Sequence, residues 1–279
     1  MDISSIKYMV IGNPARHSLS PVMQNAAFEL IGEGAVYGYR ELDIDDLDSF
    51  AEFAAKNLKG FNITAPYKRD IMRFCGEIDA EALEADSVNT VKIVDGVMYG
   101  YSTDGYGLLK ALEYELKIDV PESEIVIVGA GGAASAAAVA LKHYGVKHIT
   151  IANRSLGKAE KLAAMVDGSA VALEDKAKLI PFLSSAAVVI NSTSLGLKPG
   201  DPSPLDKSEI EICRSIFDMV YLPTELQRVA IELGIPVANG LAMLLYQGAK
   251  AFEIWTGKTA PVEAMRCALY HEAERRRKL

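Results

Sequence analysis

The apolar positions of the first hundred residues change spacing repeatedly, as expected for a chain that alternates strands and helices. Short apolar runs predict strands at 7–11, 36–42 and 60–64. Helical spacing predicts two intervening helices, with apolar faces Met23, Ala27, Leu30 and Ile31, and then Leu47, Phe50, Phe53 and Ala54. A serine followed by a proline is typical of a helix start, so Ser20 is predicted to be the N-cap of the first helix. Asp95-Gly96 predicts a hairpin between 88 and 101.

After Pro121 the pattern becomes that of a parallel sheet with helices. The run 124–128 is apolar without alternation, which is typical of a strand covered on both faces, and a glycine loop and an alanine-rich helix ending at Gly145 follow it. The same rhythm predicts strands at 148–152, 187–191, 215–219 and 236–238, and helices at 105–117, 156–165, 241–256 and 262–278. We therefore predict an α/β protein of two domains, an N-terminal α/β domain (1–104) and a Rossmann-type doubly wound domain (105–239), followed by C-terminal helices (240–279).

The composition narrows the possible partners. The 279 residues are 50% apolar and 24% charged, as in a globular protein long enough for two domains, and the net charge of −8 argues against nucleic-acid binding. No apolar run is long enough for a membrane helix and no secretion signal opens the chain, so a cytoplasmic protein is expected. The three cysteines and four histidines show no metal-ligand spacing, so no metal is expected. The basic run 275–278 is interpreted as a solvated helix end that suits the helix dipole.

The glycine loop predicts a dinucleotide site. Gly129 would form the tight turn, Gly131 would let the backbone approach a pyrophosphate, and Ala134 would let helix and strand pack closely. A plain glycine turn is the competing interpretation. The predicted cofactor contacts in this loop are Gly129, Ala130, Gly131, Gly132 and Ala133.

The end of the next predicted strand favours NADP over NAD. A ribose without a 2′-phosphate usually calls for Asp or Glu there, whereas this chain has Asn153, Arg154 and Ser155, with Lys158 one turn later. A guanidinium, a hydroxyl and an ammonium can bind a 2′-phosphate, and cations at a helix start otherwise oppose the helix dipole. Ordinary exposed charges at a helix start are the alternative.

Two further segments carry candidates for proton transfer and substrate binding. Lys68 can move a proton to or from an oxygen, and Asp104 can share that proton or hold the ammonium in place. With the glycine loop, this pair suggests hydride transfer at a cleft between two domains. Ser18 and Ser20 lie at a helix start, where hydroxyls and free N–H groups can bind a carboxylate, although a plain N-cap explains Ser20 equally well. Polar residues of the third strand and of the hairpin add Asn62, Thr64 and Asn89.

Together these segments resemble the shikimate dehydrogenase family over essentially the whole chain. The matching blocks occur in the order of that family, at 11–14, 17–21, 61–68, 88–90, 103–105, 129–134, 153–155, 191–196, 218–221, 240–244 and Gln247. The resemblance implies reversible reduction of 3-dehydroshikimate to shikimate with NADPH, in aromatic amino-acid biosynthesis. It also implies that the C-terminal helices return to pack on the first domain.

The resemblance assigns roles to individual residues. Lys68 and Asp104 would be the catalytic pair. The substrate carboxylate would bind Ser18, Ser20 and Tyr221, and the ring hydroxyls would bind Thr64, Asn89, Asp104 and Gln247. The nicotinamide would lie near Gly240 and Met243, and two of the matching blocks add Thr193 and Met219 to the cofactor contacts.

Three residues depart from the family pattern. Gln24, Ser102 and Asn239 stand where histidine, asparagine and aspartate are usual. They leave open a quinate/shikimate dehydrogenase of broader substrate or cofactor range and an enzyme for an amino-substituted analogue. A catalytically silent NADP-binding regulator is a more distant alternative. The sequence is compatible with a monomer or a homodimer, and it predicts no partner beyond the small molecules.

Overall fold

The computed structural model of the protein describes residues 6–34, 36–198 and 200–278. Its strands are β1 (Tyr8–Gly12), β2 (Tyr37–Glu41), β3 (Gly60–Ile63), β4 (Glu77–Ile78), β5 (Thr90–Val94), β6 (Val97–Tyr101), β7 (Glu124–Val128), β8 (His148–Asn153), β9 (Ser169–Ala172), β10 (Val188–Asn191), β11 (Ile216–Asp218) and β12 (Val237–Asn239). Its α-helices are α1 (Ser20–Leu30), α2 (Leu47–Asn57), α3 (Ala80–Glu84), α4 (Asp104–Glu115), α5 (Gly132–His143), α6 (Leu156–Met165), α7 (Lys176–Ser185), α8 (Lys207–Glu211), α9 (Glu225–Glu232), α10 (Gly240–Thr256) and α11 (Val262–Arg277). Two short 3₁₀ helices lie at Ile44–Asp46 and Asp70–Phe74.

The chain forms two compact units. The first comprises Met1–Gly107 and Leu244–Leu279, and the second comprises Leu108–Met243, so the divisions fall inside α4 and α10. Among the described residues, no helix has both the length and the apolar character needed to cross a membrane. The predicted fold class, α/β with a Rossmann-type second unit, is confirmed.

The first unit is built on a mixed six-stranded sheet in the order β2-β1-β3-β5-β6-β4. β1 pairs in parallel with β2 and β3, and β5 and β6 form the predicted antiparallel hairpin. One face of the sheet packs Phe61 edge-on against Phe50 of α2. On the other face Tyr8 stacks on Phe28 of α1, and the Trp255 indole N–H donates to the Val91 carbonyl at 2.9 Å. Helix α11 packs against α1.

The second unit is built on a parallel six-stranded sheet in the order β12-β11-β10-β7-β8-β9. This is the doubly wound order, in which strands are added on one side of β7 and then on the other. In such sheets ligands bind at the carboxyl ends of the strands, where the order reverses. β7 was predicted residue for residue, and its side chains from Ile125 to Val128 are buried, as expected for a strand covered on both faces.

Several local predictions were wrong. The N-cap of α1 is Leu19 and not Ser20, which is the first helical residue; the Ser20 N–H instead donates to Ser18 Oγ at 3.2 Å. Leu30 was assigned to the apolar face of α1, but this residue, the last of the helix, is 65% exposed. The predictions also missed β4, β9, α3, α7, α8 and α9.

Candidate active site

In the first unit Lys68 and Asp104 form an ion pair. Lys68 follows β3, and its carbonyl accepts a hydrogen bond of 2.8 Å from the Val88 N–H, which ties it to the start of the hairpin. Asp104 begins α4, where the helix dipole stabilises a carboxylate. Lys68 Nζ donates to Asp104 Oδ2 at 2.6 Å, and the two side chains are 34% and 24% exposed. The ammonium therefore has a fixed partner and remains accessible to a ligand.

Asn89 holds the other oxygen of that carboxylate. Its Nδ2 donates to Asp104 Oδ1 at 2.7 Å. Its Oδ1 accepts from the Thr103 N–H at 2.8 Å and from the hydroxyls of Thr103 and Thr90 at 3.1 and 3.0 Å. Because three donors surround Oδ1, the amide can only turn its NH₂ group toward Asp104. Thr90 and Thr103 were not assigned as site residues, although both lie in segments that match the family pattern, at 88–90 and 103–105.

Asn62 belongs to the same hydrogen-bond network as Asn89 and Thr90. The β3–β5 register places it opposite Thr90, and its Nδ2 donates to Thr90 Oγ1 at 2.9 Å and to the Asn89 carbonyl at 3.2 Å. Its Oδ1 accepts from the hydroxyl of the fully buried Tyr37 at 2.8 Å. Both polar groups of this amide are therefore used within the protein.

Gln247 and Thr64 lie on two other elements of the first unit. Gln247, on α10, is buried, and its Oε1 lies 3.5 Å from both Asn89 Nδ2 and Thr103 Oγ1. The half-buried Thr64 follows β3, and its hydroxyl forms no hydrogen bond with the described residues. The structure thus brings Lys68, Asn89, Asp104 and Gln247 together. Thr64 offers a hydroxyl that is unpaired within the described part of the chain.

Ser18 and Ser20 lie at the start of α1. Ser20 is buried and Ser18 is half-buried. The loop before them is tied down because the Ser18 N–H donates to the Ala15 carbonyl at 3.0 Å and Arg276 Nη1 donates to the His17 carbonyl at 2.7 Å. Arg276 is exposed in the last turn of α11, as predicted for the basic run, and it has this further contact that the sequence did not predict.

In the second unit the glycine loop connects β7 to α5. Gly129 has φ +118°, and a Cβ at this position would lie 2.6 Å from Ser192 Oγ. Gly131 is the N-cap of α5, and a Cβ on Gly131 or Gly132 would have no heavy atom within 4 Å. Ala134 is fully buried, as predicted for close packing of helix and strand. The helix N-terminus at Gly131, Gly132 and Ala133 is exposed, so an anion can approach its N–H groups.

The conformation of Gly129 provides a stability test. We expect Gly129→Ala to lower the free energy of unfolding by about 1–3 kcal/mol, because a side chain is strained at this φ and would contact Ser192. Gly157 in α6 is the matched control, because it has ordinary backbone angles and no heavy atom within 4 Å of an added Cβ. Urea unfolding should show unchanged or slightly raised stability for Gly157→Ala. Equal stability of the two variants would contradict the assignment of strain to Gly129.

The charged candidates of this unit surround the start of α6. Asn153 ends β8, and its Nδ2 donates to the carbonyl of Ser155, the N-cap of α6. Arg154, Ser155 and Lys158 are exposed. Among residues 6–34, 36–198 and 200–278, neither cationic side chain has a hydrogen bond or ion pair, and the first turn of α6 contains no acidic residue. The structure therefore leaves two cations available at one helix start.

The loops after β10 and β11 are organised by Asp218, which the sequence interpretation did not single out. This fully buried carboxylate accepts from Asn191 Nδ2 at 2.9 Å, Thr224 Oγ1 at 2.6 Å and Gln227 Nε2 at 3.0 Å. Asn191 Oδ1 in turn accepts from the N–H and hydroxyl of Thr193 at 3.0 and 2.8 Å. Thr193 is thereby fixed at the carboxyl end of the sheet.

The remaining candidates of the second unit lie on adjacent loops. Met219 directly follows β11, and Tyr221 is an exposed aromatic residue two positions later. A Cβ on Gly240, which begins α10, would lie 2.3 Å from the Met219 carbonyl oxygen. The close approach of the two backbone segments therefore requires a glycine at position 240. Met243 is half-buried in the first turns of the same helix.

Two of the three departures from the family pattern form local hydrogen bonds. Gln24 is fully buried and donates through Nε2 to the Gly248 carbonyl at 2.8 Å. Ser102 is buried beside Thr103. Asn239 Oδ1 accepts from the Leu241 N–H at 3.1 Å, which caps α10. None of the three replaces a member of the Lys68–Asp104–Asn89 network.

Comparison with known proteins identifies the family of this chain. The family models described as shikimate dehydrogenase substrate binding domain, shikimate / quinate 5-dehydrogenase and shikimate 5'-dehydrogenase C-terminal domain match residues 10–91, 112–197 and 240–270. Shikimate dehydrogenase (NADP(+)) of Bacillus cereus is 38% identical over 267 residues, which cover 93% of this chain and 95% of the relative. The chain belongs to the shikimate dehydrogenase family.

Solved structures show the same relationship. Shikimate dehydrogenase from Aquifex aeolicus superposes with a TM-score of 0.85 at 36% identity, covering 96% of this chain and 99% of that one. Shikimate 5-dehydrogenase from Thermus thermophilus, in complex with NADP(H) and shikimate, gives a TM-score of 0.84 at 32% identity, with 95% and 99% coverage.

Proposed function

We propose that this protein catalyses the reversible, NADP-dependent oxidation of shikimate to 3-dehydroshikimate, a step of aromatic amino-acid biosynthesis. The observation that carries the proposal is the contact of 2.6 Å between Lys68 Nζ and Asp104 Oδ2 within a buried amide and hydroxyl network. An ion pair that only lies on the surface does not need a buried hydrogen-bond network around it. A pair that transfers a proton needs one, because the reacting hydroxyl must meet a group held at hydrogen-bond distance.

Lys68 is the residue that moves the proton. When the ring alcohol is oxidised, its hydroxyl proton passes to the uncharged lysine amine, which becomes the ammonium, as hydride leaves the carbon. In the reverse direction the ammonium donates a proton to the oxygen that develops negative charge. Asp104 accepts one N–H of Lys68 throughout, and Asn89 prevents the carboxylate from rotating away. The remaining N–H directions of the ammonium are then available to the substrate oxygen.

The other residues of the first unit bind and orient the substrate. The Thr64 hydroxyl, the Asn89 amide and the Gln247 amide would hydrogen-bond the ring hydroxyls. Ser18 and Ser20 would bind the carboxylate, with Tyr221 assigned to the same group on the resemblance alone. We assign Asn62 to a supporting role, because its amide already bonds Tyr37, Thr90 and Asn89.

NADP, when bound, supplies or accepts the hydride. The second unit fits this cofactor because the N-terminus of α5 is open and Arg154 and Lys158 carry charges that no described residue neutralises. The residues that would hold it are Gly129, Ala130, Gly131, Gly132 and Ala133 at the pyrophosphate, Asn153, Arg154, Ser155 and Lys158 at the ribose phosphate, and Thr193, Met219, Gly240 and Met243 at the nicotinamide.

The direct test is a spectrophotometric assay of NADP reduction with shikimate and with quinate, repeated with NAD. We expect the highest kcat/KM for shikimate with NADP. The predicted ring contacts favour shikimate, and Arg154 and Lys158 at the start of α6 favour NADP. A higher kcat/KM for quinate would overturn the substrate assignment. Tight NADP binding without any reduction by either substrate would support the silent regulator instead.

A further inference from the structure

The C-terminal helix α11 contacts the peptide group that precedes Ser18, a residue predicted to bind the substrate carboxylate. The peptide between His17 and Ser18 has two polar groups, and both are hydrogen-bonded. The Ser18 N–H donates to the Ala15 carbonyl at 3.0 Å, within the same loop. The His17 carbonyl accepts from Arg276 Nη1 at 2.7 Å, a contact that joins residues 259 positions apart.

Helix α11 places Arg276 within hydrogen-bond distance of this loop. Met265, Leu269 and Ala273 are buried at four-residue spacing on the face that packs against α1, and Arg276, three positions after Ala273, lies on the same face. Glu272 Oε1 accepts from Arg276 Nε at 2.7 Å, with side chains 13% and 36% exposed. The guanidinium is thus held at one edge by Glu272 and directs another edge to the loop.

The two residues before His17 are fixed by a carboxylate at the end of β2. Glu41 Oε1 accepts from the N–H groups of Ala15 and Arg16, each at 3.2 Å, and the Arg16 guanidinium pairs with the same carboxylate. The loop therefore has charge-assisted attachments at Ala15 and Arg16 and at the His17 carbonyl, and Ser18 immediately follows them.

We propose that Arg276 is a positioning residue for the substrate carboxylate: it fixes the His17–Ser18 peptide and thereby the direction of the Ser18 hydroxyl. The inference rests on the proposed function, because it requires Ser18 to bind the carboxylate. It gives the C-terminal helix a role in substrate affinity, although the helix itself contributes no group to the substrate.

This attachment should be insensitive to pH under ordinary assay conditions. Hydrogen bonds from Arg275 and Arg276 lower the pKa of Glu272 to about 2. A carboxyl group with a lowered pKa loses its ion pairs only as the pH falls toward that value, so Glu272 stays ionised at neutral and alkaline pH. The effect of an Arg276 substitution should therefore be the same across that range.

The test compares Arg276→Met with Arg275→Met. Both residues donate to Glu272, but only Arg276 also donates to the His17 carbonyl. We expect Arg276→Met to raise the KM for shikimate roughly three- to tenfold, the range for loss of a partly exposed charge-assisted hydrogen bond, with kcat and the KM for NADP nearly unchanged. Arg276→Lys should recover part of the loss, and Arg275→Met should resemble the wild type.

A double-mutant cycle with Ser18→Ala separates positioning from general loosening of the fold. If Arg276 acts through Ser18, Arg276→Met should add little in the Ser18→Ala background, so the two effects will not multiply. Independent effects, or an Arg276→Met variant with the KM of the wild type, would overturn this inference alone. A wild-type protein that does not oxidise shikimate would overturn the proposed function and this inference with it.

Discussion

Replacement of Lys68 by alanine should lower kcat by about 10²–10⁴-fold in both directions, the usual contribution of a positioned proton-transfer group. The loss follows because Lys68 supplies the amine that contacts Asp104, and alanine leaves no group there that can accept or donate the proton. The binding constant for NADP, measured by fluorescence or calorimetry, should stay close to the wild-type value, because the predicted nucleotide contacts belong to the second unit.

Two further variants separate proton transfer from charge. Lys68→Arg keeps a cation beside Asp104, but a guanidinium is always protonated and cannot accept the hydroxyl proton, so alcohol oxidation should remain severely impaired. Lys56, an exposed lysine of α2 without an ion pair among the described residues, is the control for removal of a positive charge, and Lys56→Ala should be fully active. Near-normal oxidation by Lys68→Arg would show that this side chain supplies charge and not a proton acceptor.

The regular part of the fold could be predicted where local chemistry requires one conformation. A strand buried on both faces needs an uninterrupted apolar run, and β7 coincides with its prediction. The turn at Asp95-Gly96 needs two residues with positive φ, and their φ values are +51° and +80°. In both cases the deciding interactions lie within a few residues, so the pattern alone identifies the element.

The errors in predicting helices arise where the start or the existence of a helix depends on contacts with distant residues or on competing hydrogen bonds. Ser18 and Ser20 are both suitable hydroxyls near the start of α1, and the helix begins one residue earlier than the pattern predicts. Two of the missed helices have weak signals. α9 has only eight residues, and α7 contains Pro181, a residue that usually predicts the end of a helix. Periodicity is too weak a signal for such elements.

In the candidate site, too, some residues could be predicted from the sequence, whereas contacts between distant residues could not. Lys68, Asp104 and Asn89 lie within forty residues of one another and were singled out from the sequence, and the structure brings them within hydrogen-bond distance. The supporting bond from Asn62 to Thr90 depends on the β3–β5 register, and Arg276 reaches His17 from the far end of the chain. Sequence spacing contains no information about either contact.

Replacement of Arg154 by alanine should change cofactor selectivity. A guanidinium that binds a 2′-phosphate contributes about 1.5–3 kcal/mol through charge-assisted hydrogen bonds, and its exposure at the start of α6 favours the lower part of this range. The KM for NADP should therefore rise by roughly tenfold or more, while the KM for NAD stays nearly constant because NAD lacks the phosphate. Steady-state kinetics with both cofactors at saturating shikimate will measure the ratio.

Lys161 provides the matched control for this effect. It is an exposed cation on the same helix, about one turn beyond Lys158, so its removal changes the net charge by the same amount. If selectivity arises from direct contact, Lys161→Ala should leave both KM values near wild type, and added salt should reduce the advantage of NADP in the wild type more than in Arg154→Ala. If Arg154→Ala instead raised the KM values for NADP and NAD equally, Arg154 would act on a part of the nucleotide that both cofactors share. The 2′-phosphate would then have to be recognised by the other residues at the start of α6, Ser155 and Lys158.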